Sequence, residues 1–233
     1  MEYKNIIEAI FVKRLNRFLA EVIINGKNEM VHVKNTGRLR ELLIDETKVF
    51  LEESDNADRK TKYSLIAVYK EGEIVNIDSQ APNIVAYEAI KKGVIKELGI
   101  PDIIKKEVKY KNSRFDIYYE VCGTKGFVEV KGVTLDENKT AKFPDAPTKR
   151  GTKHIRELID AHREGYECSI LFVIQMKGTE KFCPNAERDL EFAKALEDAN
   201  TEGVNILAYD CIVGKNSMEI DRKIKAEMAT VSY

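Results

Sequence analysis

The chain has 233 residues, of which 43% are hydrophobic and 33% are charged. This composition excludes an intrinsically disordered chain, and the length is sufficient for two small domains with their own cores. The longest apolar runs, such as residues 170–174, are too short to cross a bilayer, and the net charge of −1 argues against a uniformly cationic surface. We therefore expect a soluble, cytoplasmic protein with no membrane partner.

Short strands separated by turns are predicted for the first 80 residues. Turn residues occur at Asn25-Gly26, Asp55-Asn56 and Glu71-Gly72. The β-rich runs between them are residues 6–12, 18–24, 30–33, 48–51, 63–69 and 74–77. One helix-like piece, residues 37–44, interrupts the series. This many strands in so short a stretch predicts a small closed β-barrel of the OB type, in a domain of residues 1–82.

From residue 82 onwards, helices alternate with strands. Residues 83–98 repeat apolar side chains every three or four positions, which predicts a helix that ends at Gly99. Strands are predicted at 103–110, 114–121, 126–133, 168–175 and 204–213. Further helices are predicted at 151–164 and 187–200, and a polar loop at 136–149. This order is typical of an α/β domain, here residues 83–233.

The four cysteines show no C-x-x-C spacing. They are Cys122, Cys168, Cys183 and Cys211, and three of them lie in or beside strand-like apolar stretches. Small buried side chains explain such cysteines better than metal ligands or disulfides do, and a reducing compartment fits them.

Two carboxylates and a lysine on neighbouring predicted strands have the arrangement that phosphodiester hydrolysis requires. Glu129 and Lys131 are two residues apart, so they point to the same face of a strand while Val130 points to the other. Asp116 lies on the preceding strand, and the short connection at residues 123–126 allows a hairpin with Asp116 across from Glu129. Hard cations such as Mg²⁺ take oxygen ligands, and a nearby lysine stabilises charge on the attacking water or the phosphate.

A third carboxylate, Glu88, lies in the predicted helix that precedes these strands. The predicted metal ligands are therefore Asp116, Glu129 and Glu88, with Mg²⁺ or Mn²⁺ as the cofactor, and Lys131 completes the catalytic set. An E-x-K motif alone is weak evidence, because charged residues alternate on the solvent face of many strands. The alternative is a surface cluster of salt bridges that contributes little stability.

Two basic groups are candidates for binding nucleic acid. A proline-rich turn at residues 143–147 leads into a helix whose first turns carry Lys149, Arg150, Lys153 and His154, and a helix N-terminus favours anions. The other group lies on the predicted barrel and contains Lys13, Arg14, Arg17, Phe18, Arg38 and Arg40. Basic residues beside an aromatic side chain suit backbone binding with base stacking. The alternatives are a capped surface helix and an ordinary solvated barrel face.

Several motifs occur together over nearly the whole chain. They are Arg17-Phe18-Leu19-Ala20, Asn35-Thr36-Gly37, Glu88-Ala89-Ile90, Glu107-Val108-Lys109-Tyr110, Ser113-Arg114-Phe115-Asp116, Glu129-Val130-Lys131-Gly132-Val133-Thr134-Leu135, residues 143–154 and Asn205-Ile206-Leu207-Ala208-Tyr209. In this combination they resemble the sugar fermentation stimulation protein A family. Gly132 stands where a serine is familiar in that family, and this departure leaves the acidic positions and Lys131 intact.

The resemblance implies an OB-like N-terminal domain followed by an α/β domain similar to the PD-(D/E)xK restriction endonucleases, an α+β / α/β protein overall. It also implies DNA binding without strong sequence preference and a link to the regulation of sugar utilisation. Asp116, Glu129 and Lys131 match the nuclease motif, and Glu88 would be the acid on the helix. The family name records a growth phenotype, which defines no chemistry.

Two main hypotheses follow for the function. The first is a nuclease dependent on Mg²⁺ or Mn²⁺ that acts on nucleic acid, with DNA as the expected partner. The second is a non-catalytic DNA-binding regulator of sugar metabolism with a silent nuclease-like site. The intact set of two acids and a lysine favours the enzyme, because carboxylates repel phosphate and add nothing to a binding module. A scaffold without nucleic acid is a third alternative, and the sequence does not define an oligomeric state.

Overall fold

The computed structural model describes residues 1–56 and 58–228 and begins with six strands. These are β1 (Ile6–Arg14), β2 (Leu19–Ile24), β3 (Lys27–Val33), β4 (Lys48–Glu53), β5 (Tyr63–Lys70) and β6 (Glu73–Asn76). The sheet order is β3-β2-β1-β4-β5-β6, and β3 also pairs with β5 in parallel, at His32 with Ser64 and Val33 with Leu65. This pairing closes β1–β5 into a barrel, which confirms the predicted OB-like fold.

The predicted helix at residues 37–44 is wrong, because the structure has only turns there. Leu39 adopts a left-handed φ of 50°, which no α-helix accommodates. Leu39 and Leu42 are nevertheless buried in the barrel core, and their spacing of three explains why the segment resembles a helix.

The second half of the chain builds a nine-stranded sheet with helices on both faces. Its strands are β7 (Ile103–Tyr110), β8 (Ser113–Val121), β9 (Thr124–Val133), β10 (Leu135–Glu137), β11 (Thr140–Phe143), β12 (Glu167–Ile174), β13 (Lys181–Pro184), β14 (Asn205–Val213) and β15 (Met218–Ala226). The order is β10-β11-β13-β15-β14-β12-β9-β8-β7, with β9, β12 and β14 parallel to one another. The α/β domain is therefore confirmed; the last five positions of the range 83–233 lie outside the described residues.

In the described part of the chain, three α-helices cover this sheet: α1 (Ala81–Lys91), α2 (Lys149–Arg163) and α3 (Leu190–Thr201). Helix α1 packs Val85 and Ile90 against Val128 and Val130 on one face, while α2 and α3 pack on the opposite face. The predicted helix over 83–98 ends early, because Gly93 has a φ of +69°, and a short 3-10 helix (Lys96–Leu98) follows. Within the described residues, no helix is long and apolar enough to span a membrane.

Four strands of the structure are missing from the sequence-based prediction. The predicted loop at 136–149 contains the β10–β11 hairpin, while β13 and β15 were not predicted. β10, β11 and β13 have only three or four residues, and β15 carries charged side chains at most of its exposed positions. The three short strands offer too few residues for an alternating pattern, and in β15 the alternation of Met218 and Ile220 is interrupted by charged residues before Ile224.

Polar contacts join the barrel to the second domain. The side chain of Gln175, at the end of β12, donates to the carbonyl oxygen and Oδ1 of Asn76, both at 3.0 Å, and to the carbonyl oxygen of Asp78 at 3.2 Å. The backbone N–H of Asn76 donates to the Gln175 carbonyl at 2.9 Å. The N-terminal segment also reaches the second domain, where the backbone N–H of Tyr3 donates to the Asn216 carbonyl at 2.7 Å. The two halves therefore share buried hydrogen bonds.

We expect Gln175→Ala to lower the free energy of unfolding by about 1–3 kcal/mol, because buried acceptors of Asn76 and Asp78 lose their donor. Urea denaturation followed by circular dichroism measures this change. The matched control is Gln80→Ala, whose exposed side chain makes no helix-capping bond, and it should stay within about 0.5 kcal/mol of wild type. Equal stability of both variants would contradict a role of Gln175 in joining the domains.

Candidate functional site

A tight hairpin places the two predicted acids side by side. Cys122 and Gly123 form a two-residue turn with φ values of 48° and 83°, as a type I′ turn requires. The strands pair in register from Val121 with Thr124 to Ile117 with Val128. The predicted hairpin is therefore confirmed, and its register ends beside Asp116 and Glu129.

The ladder is interrupted where Asp116 lies. Glu107, the residue opposite Asp116 on β7, has a left-handed φ of 53° and drops out of the β7–β8 pairing. On the other side, the Asp116 carboxylate replaces a backbone acceptor, since its Oδ2 receives the Val130 N–H at 2.8 Å. Its Oδ1 accepts a hydrogen bond from Nδ2 of Asn83, near the start of α1, at 2.8 Å. Both oxygens of Asp116 are therefore held in place.

Glu129 is the buried centre of the site, with only 2% of its surface exposed. Its Oε1 accepts hydrogen bonds from Nζ of Lys131 at 2.5 Å and from Nδ1 of His154 at 2.6 Å. Its Oε2 is buried with no hydrogen-bond partner among the described residues. Two donors on one oxygen therefore leave the other oxygen available to a ligand.

The two carboxylates titrate differently. Burial, together with the negative charge of Glu129, raises the pKa of Asp116 from 3.8 to about 6. Burial also acts to raise the pKa of Glu129, but the His154 hydrogen bond and the Lys131 charge outweigh it and hold that pKa below its ordinary value. Glu129 is therefore ionised at neutral pH, and its neighbour Asp116 ionises against that charge.

His154 has a different environment from the one predicted. It was expected to face phosphate at the start of a helix, but it is 7% exposed and bonded to Glu129. Its Nε2 accepts from Nε of Arg150 at 3.4 Å, so Nδ1 carries the proton that Glu129 accepts. The sequence shows the Arg150–His154 spacing of one helical turn, but it contains no signal for the contact with Glu129.

Glu88 does not join this cluster. Its Oε2 accepts from the α-amino group of Met1 at 2.9 Å, and that amino group also donates to the Met218 carbonyl on β15. β15 is three strands away from β9 in the sheet. Glu88 follows Asn83 by five residues, roughly 140° around the helix, so the two side chains leave α1 in different directions. The predicted metal set is thereby reduced to Asp116 and Glu129.

The remaining pair still fits a hard divalent cation. Mg²⁺ is commonly held by one or two carboxylates, with waters and substrate phosphate as the other ligands. The unpartnered Oε2 of Glu129 and the repulsion between Glu129 and Asp116 are both features that a cation would satisfy. Among residues 1–56 and 58–228, no three His, Cys, Asp or Glu side chains converge on one point.

The basic start of α2 lines an open cleft beside this pair. Thr148 caps the helix by accepting the Gly151 N–H at 3.1 Å, and Lys149, Arg150 and Lys153 are exposed. The cleft has a volume of about 630 Å³, and its other wall is the β7–β8 hairpin with Lys109 and Arg114. Both residues lie in the family motifs, but neither is among the predicted nucleic-acid-binding residues.

The predicted barrel group divides into structural and exposed members. All five N–H donors of Arg14 are used on backbone carbonyls at 2.5–3.1 Å, those of Asn16, Arg17, Asn35, Gly37 and Arg38. Arg14 therefore has no donor left for phosphate and instead holds together the two loops that carry the other arginines.

The exposed members of the barrel group surround a pocket of about 420 Å³ lined by Arg17, Arg38 and Arg40. Phe18 is 52% exposed next to Arg17. Lys13 pairs with Glu21 at 3.2 Å, which reduces its charge on this face. Three arginines and an aromatic ring thus remain accessible to a ligand.

The structure is that of an OB-type barrel joined to an α/β domain whose central hairpin carries an acidic pair and a lysine. Two family profiles match the chain: "SfsA N-terminal OB domain" over residues 12–77 and "Sugar fermentation stimulation protein RE domain" over residues 80–217. The chain belongs to the sugar fermentation stimulation protein (SfsA) family, as its sequence motifs indicated.

Known relatives agree in sequence and fold. Sugar fermentation stimulation protein homologs from Alkaliphilus oremlandii and Clostridium beijerinckii are 51% and 52% identical, over 96% and 94% of this chain and 97% and 96% of their own. The solved structure of Pyrococcus furiosus SfsA in complex with Ca²⁺ is 32% identical, with a TM-score of 0.88 over 97% of this chain and 98% of that one.

Asp116→Asn should stabilise the metal-free protein at neutral pH. The folded pKa of Asp116 is raised to about 6, so the folded protein favours the protonated side chain. The stability that protonated Asp116 contributes is fully present below pH 3.8 and is lost as the pH rises through 6. The amide loses one of the two acceptor oxygens, at about 1 kcal/mol, but removes the buried charge, so we expect a net gain of about 1–2 kcal/mol at pH 7.5 and little gain at pH 4.5. Urea denaturation in EDTA at both pH values measures it. A variant less stable than wild type at pH 7.5 would contradict this assignment.

Arg14→Lys should destabilise the barrel although it keeps the charge. A lysine has three donors and no planar fork, so several carbonyls in the two loops lose their partner, at a cost of about 1–3 kcal/mol. Arg38→Lys is the matched control and should leave the melting temperature unchanged, since its side chain is exposed. Thermal unfolding by circular dichroism distinguishes them; equal melting temperatures would contradict a structural role for Arg14.

Proposed function

We propose that this protein is a divalent-metal-dependent nuclease of the PD-(D/E)xK type that acts on nucleic acid, DNA in the first place. The observation that carries the proposal is the buried, unpartnered Oε2 of Glu129, beside Asp116 and within the same cluster as Lys131. Most buried polar atoms are hydrogen-bonded, so an unpartnered carboxylate oxygen beside a second acid supports a site that a cation completes. In this proposal residues 83–233 form the nuclease domain and residues 1–82 the nucleic-acid-binding domain.

Each residue has a role that follows from its contacts. Asp116 and Glu129 would hold Mg²⁺ or Mn²⁺, which when bound polarises the phosphate and lowers the pKa of a water molecule. The Val130 N–H and Asn83 orient Asp116, and His154 orients Glu129. Lys131, which donates to Glu129, would stabilise charge on the attacking water or the phosphate.

Nucleic acid is the substrate class that the surrounding surface supports. Arg17, Arg38 and Arg40 with Phe18 offer cations and a stacking ring on the barrel, and α2 offers Lys149, Arg150 and Lys153 close to the acidic pair. The relative from Pyrococcus furiosus is described in complex with Ca²⁺, a hard cation that takes oxygen ligands as Mg²⁺ does.

A second candidate function is a DNA-binding regulator of sugar metabolism with a silent nuclease-like site. It is favoured by the position of Glu88, which binds the Met1 amino group and leaves the site with two acids. The same basic surfaces would serve both functions. Cleavage is therefore the property that separates the two candidates.

Labelled single- and double-stranded DNA and RNA should be cut by the wild type with Mg²⁺ or Mn²⁺ and not with EDTA. Lys131→Ala should lower the rate by roughly 10²-fold or more, because charge stabilisation in the transition state is lost. The matched control is Lys125→Ala, an exposed lysine on the same strand β9, which should cut at the wild-type rate.

Gel analysis of the products under single-turnover conditions gives the rates. Binding of the oligonucleotides without cutting, by wild type and variants alike, would refute the nuclease and leave the second candidate. Cutting that persists in Lys131→Ala would show that the activity arises elsewhere or from a contaminant.

A further inference from the structure

The cleft between the β7–β8 hairpin and the start of α2 has cations on both of its walls. Lys109 and Arg114 line the hairpin side, and Lys149, Arg150 and Lys153 line the helix side. Its volume of about 630 Å³ lies within the range of pockets that hold one small ligand. This is room for about one or two nucleotides of a strand.

The cations of the cleft are only weakly neutralised by acids. The only acid that lines the cleft in the described part of the chain, Glu107, approaches Arg114 to 4.0 Å, and Lys153 reaches Glu157 at 3.7 Å. Elsewhere, lysines such as Lys48, Lys62 and Lys111 pair with acids at 2.6–2.9 Å. Like charges facing each other across a cleft are destabilising unless an anion binds between them.

The cleft is connected to the acidic pair through His154. His154 is one of its lining residues, and the same imidazole donates to Glu129 at 2.6 Å. Arg114 precedes Asp116 by two residues on β8. A phosphate held between the two walls is therefore separated from Glu129 by one side chain, that of His154.

We propose that this cleft binds the phosphate backbone of a single, unpaired nucleic-acid strand and delivers it to the Asp116–Glu129 pair; this rests on the proposed nuclease function. Glu129 is 2% exposed, so the backbone must descend into the cleft to reach it. A duplex is stiff over about 150 base pairs and keeps its phosphates on its outer surface. An unpaired strand bends freely enough to follow the floor of the cleft.

The barrel provides a second, independent preference for unpaired bases. Phe18 is 52% exposed among arginines, and an exposed ring stacks on a base only where that base is not already stacked in a duplex. The barrel and the cleft are close together: a Cβ on Gly37 would lie 3.0 Å from Oδ2 of Asp145, four residues before α2 begins. One strand can therefore follow the arginines of the barrel and continue into the cleft.

Fluorescence anisotropy in EDTA tests the proposal without any cleavage. The probes are a labelled single-stranded DNA of mixed sequence and the same strand annealed to its complement, each titrated at several salt concentrations. The single strand should bind about tenfold more tightly than the duplex. Lys109→Ala/Arg114→Ala should weaken single-strand binding about tenfold or more and reduce the slope of log K against log salt by about 1.4, as expected for two lost phosphate contacts.

The matched control is Lys92→Ala/Lys125→Ala, which removes two exposed lysines outside the cleft and should keep at least half of the wild-type affinity and the wild-type slope. Circular dichroism and melting temperature establish that both double variants are folded. Equal affinity for duplex and single strand, or equal weakening by both double variants, would overturn the proposal.

This experiment separates the cleft from the nuclease. Single-strand binding that depends on Lys109 and Arg114, without cleavage in Mg²⁺ or Mn²⁺, would retain the cleft and remove the catalytic function. Cleavage that proceeds at the wild-type rate and affinity in Lys109→Ala/Arg114→Ala would retain the nuclease and remove the cleft.

Discussion

The buried carboxylate of Glu129 is the constraint on which the site depends. An ionised carboxylate out of water is costly unless charged or hydrogen-bonding groups surround it, and removing one partner of such a group costs about 3–5 kcal/mol. Its partners come from its own strand, through Lys131, and from α2, through His154. The position of α2 relative to β9 is therefore coupled to the ionisation of a single side chain. The same position of α2 brings its exposed cations to the edge of the cleft.

The backbone and the carboxylate around Asp116 carry destabilising features that are typical of functional sites. The ladder between β7 and β8 is interrupted at Glu107, which adopts a left-handed conformation that costs on the order of 1–3 kcal/mol for a residue other than glycine. The Asp116 carboxylate takes over the Val130 N–H, and burial beside Glu129 raises its pKa to about 6. Neither feature stabilises the fold, and both accompany two acids that are held close together at one point of the sheet.

Positive charge serves two different purposes in this protein. Arg14 uses its whole guanidinium group on backbone carbonyls and so organises the loops of the barrel. Arg17, Arg38 and Arg40 are exposed on those loops, and Lys109 and Arg114 are exposed on the hairpin of the second domain. In sequence these residues look alike. Their hydrogen-bond partners separate the structural cation from those available to a ligand.

The sequence by itself determined the features that depend on local periodicity and on turns. These include the OB-like barrel, the change to an α/β pattern near residue 82, the Cys122-Gly123 hairpin and the shared face of Glu129 and Lys131, because alternation along a strand and turn chemistry act over a few residues. Only the tertiary structure decided that Glu88 binds the Met1 amino group, that His154 bonds to Glu129, and that Arg14 is structural. Each of these contacts joins residues that are distant in the chain, or uses backbone carbonyls that every residue has. No pattern of side chains along the sequence records such contacts, since they arise only when helices and strands pack together.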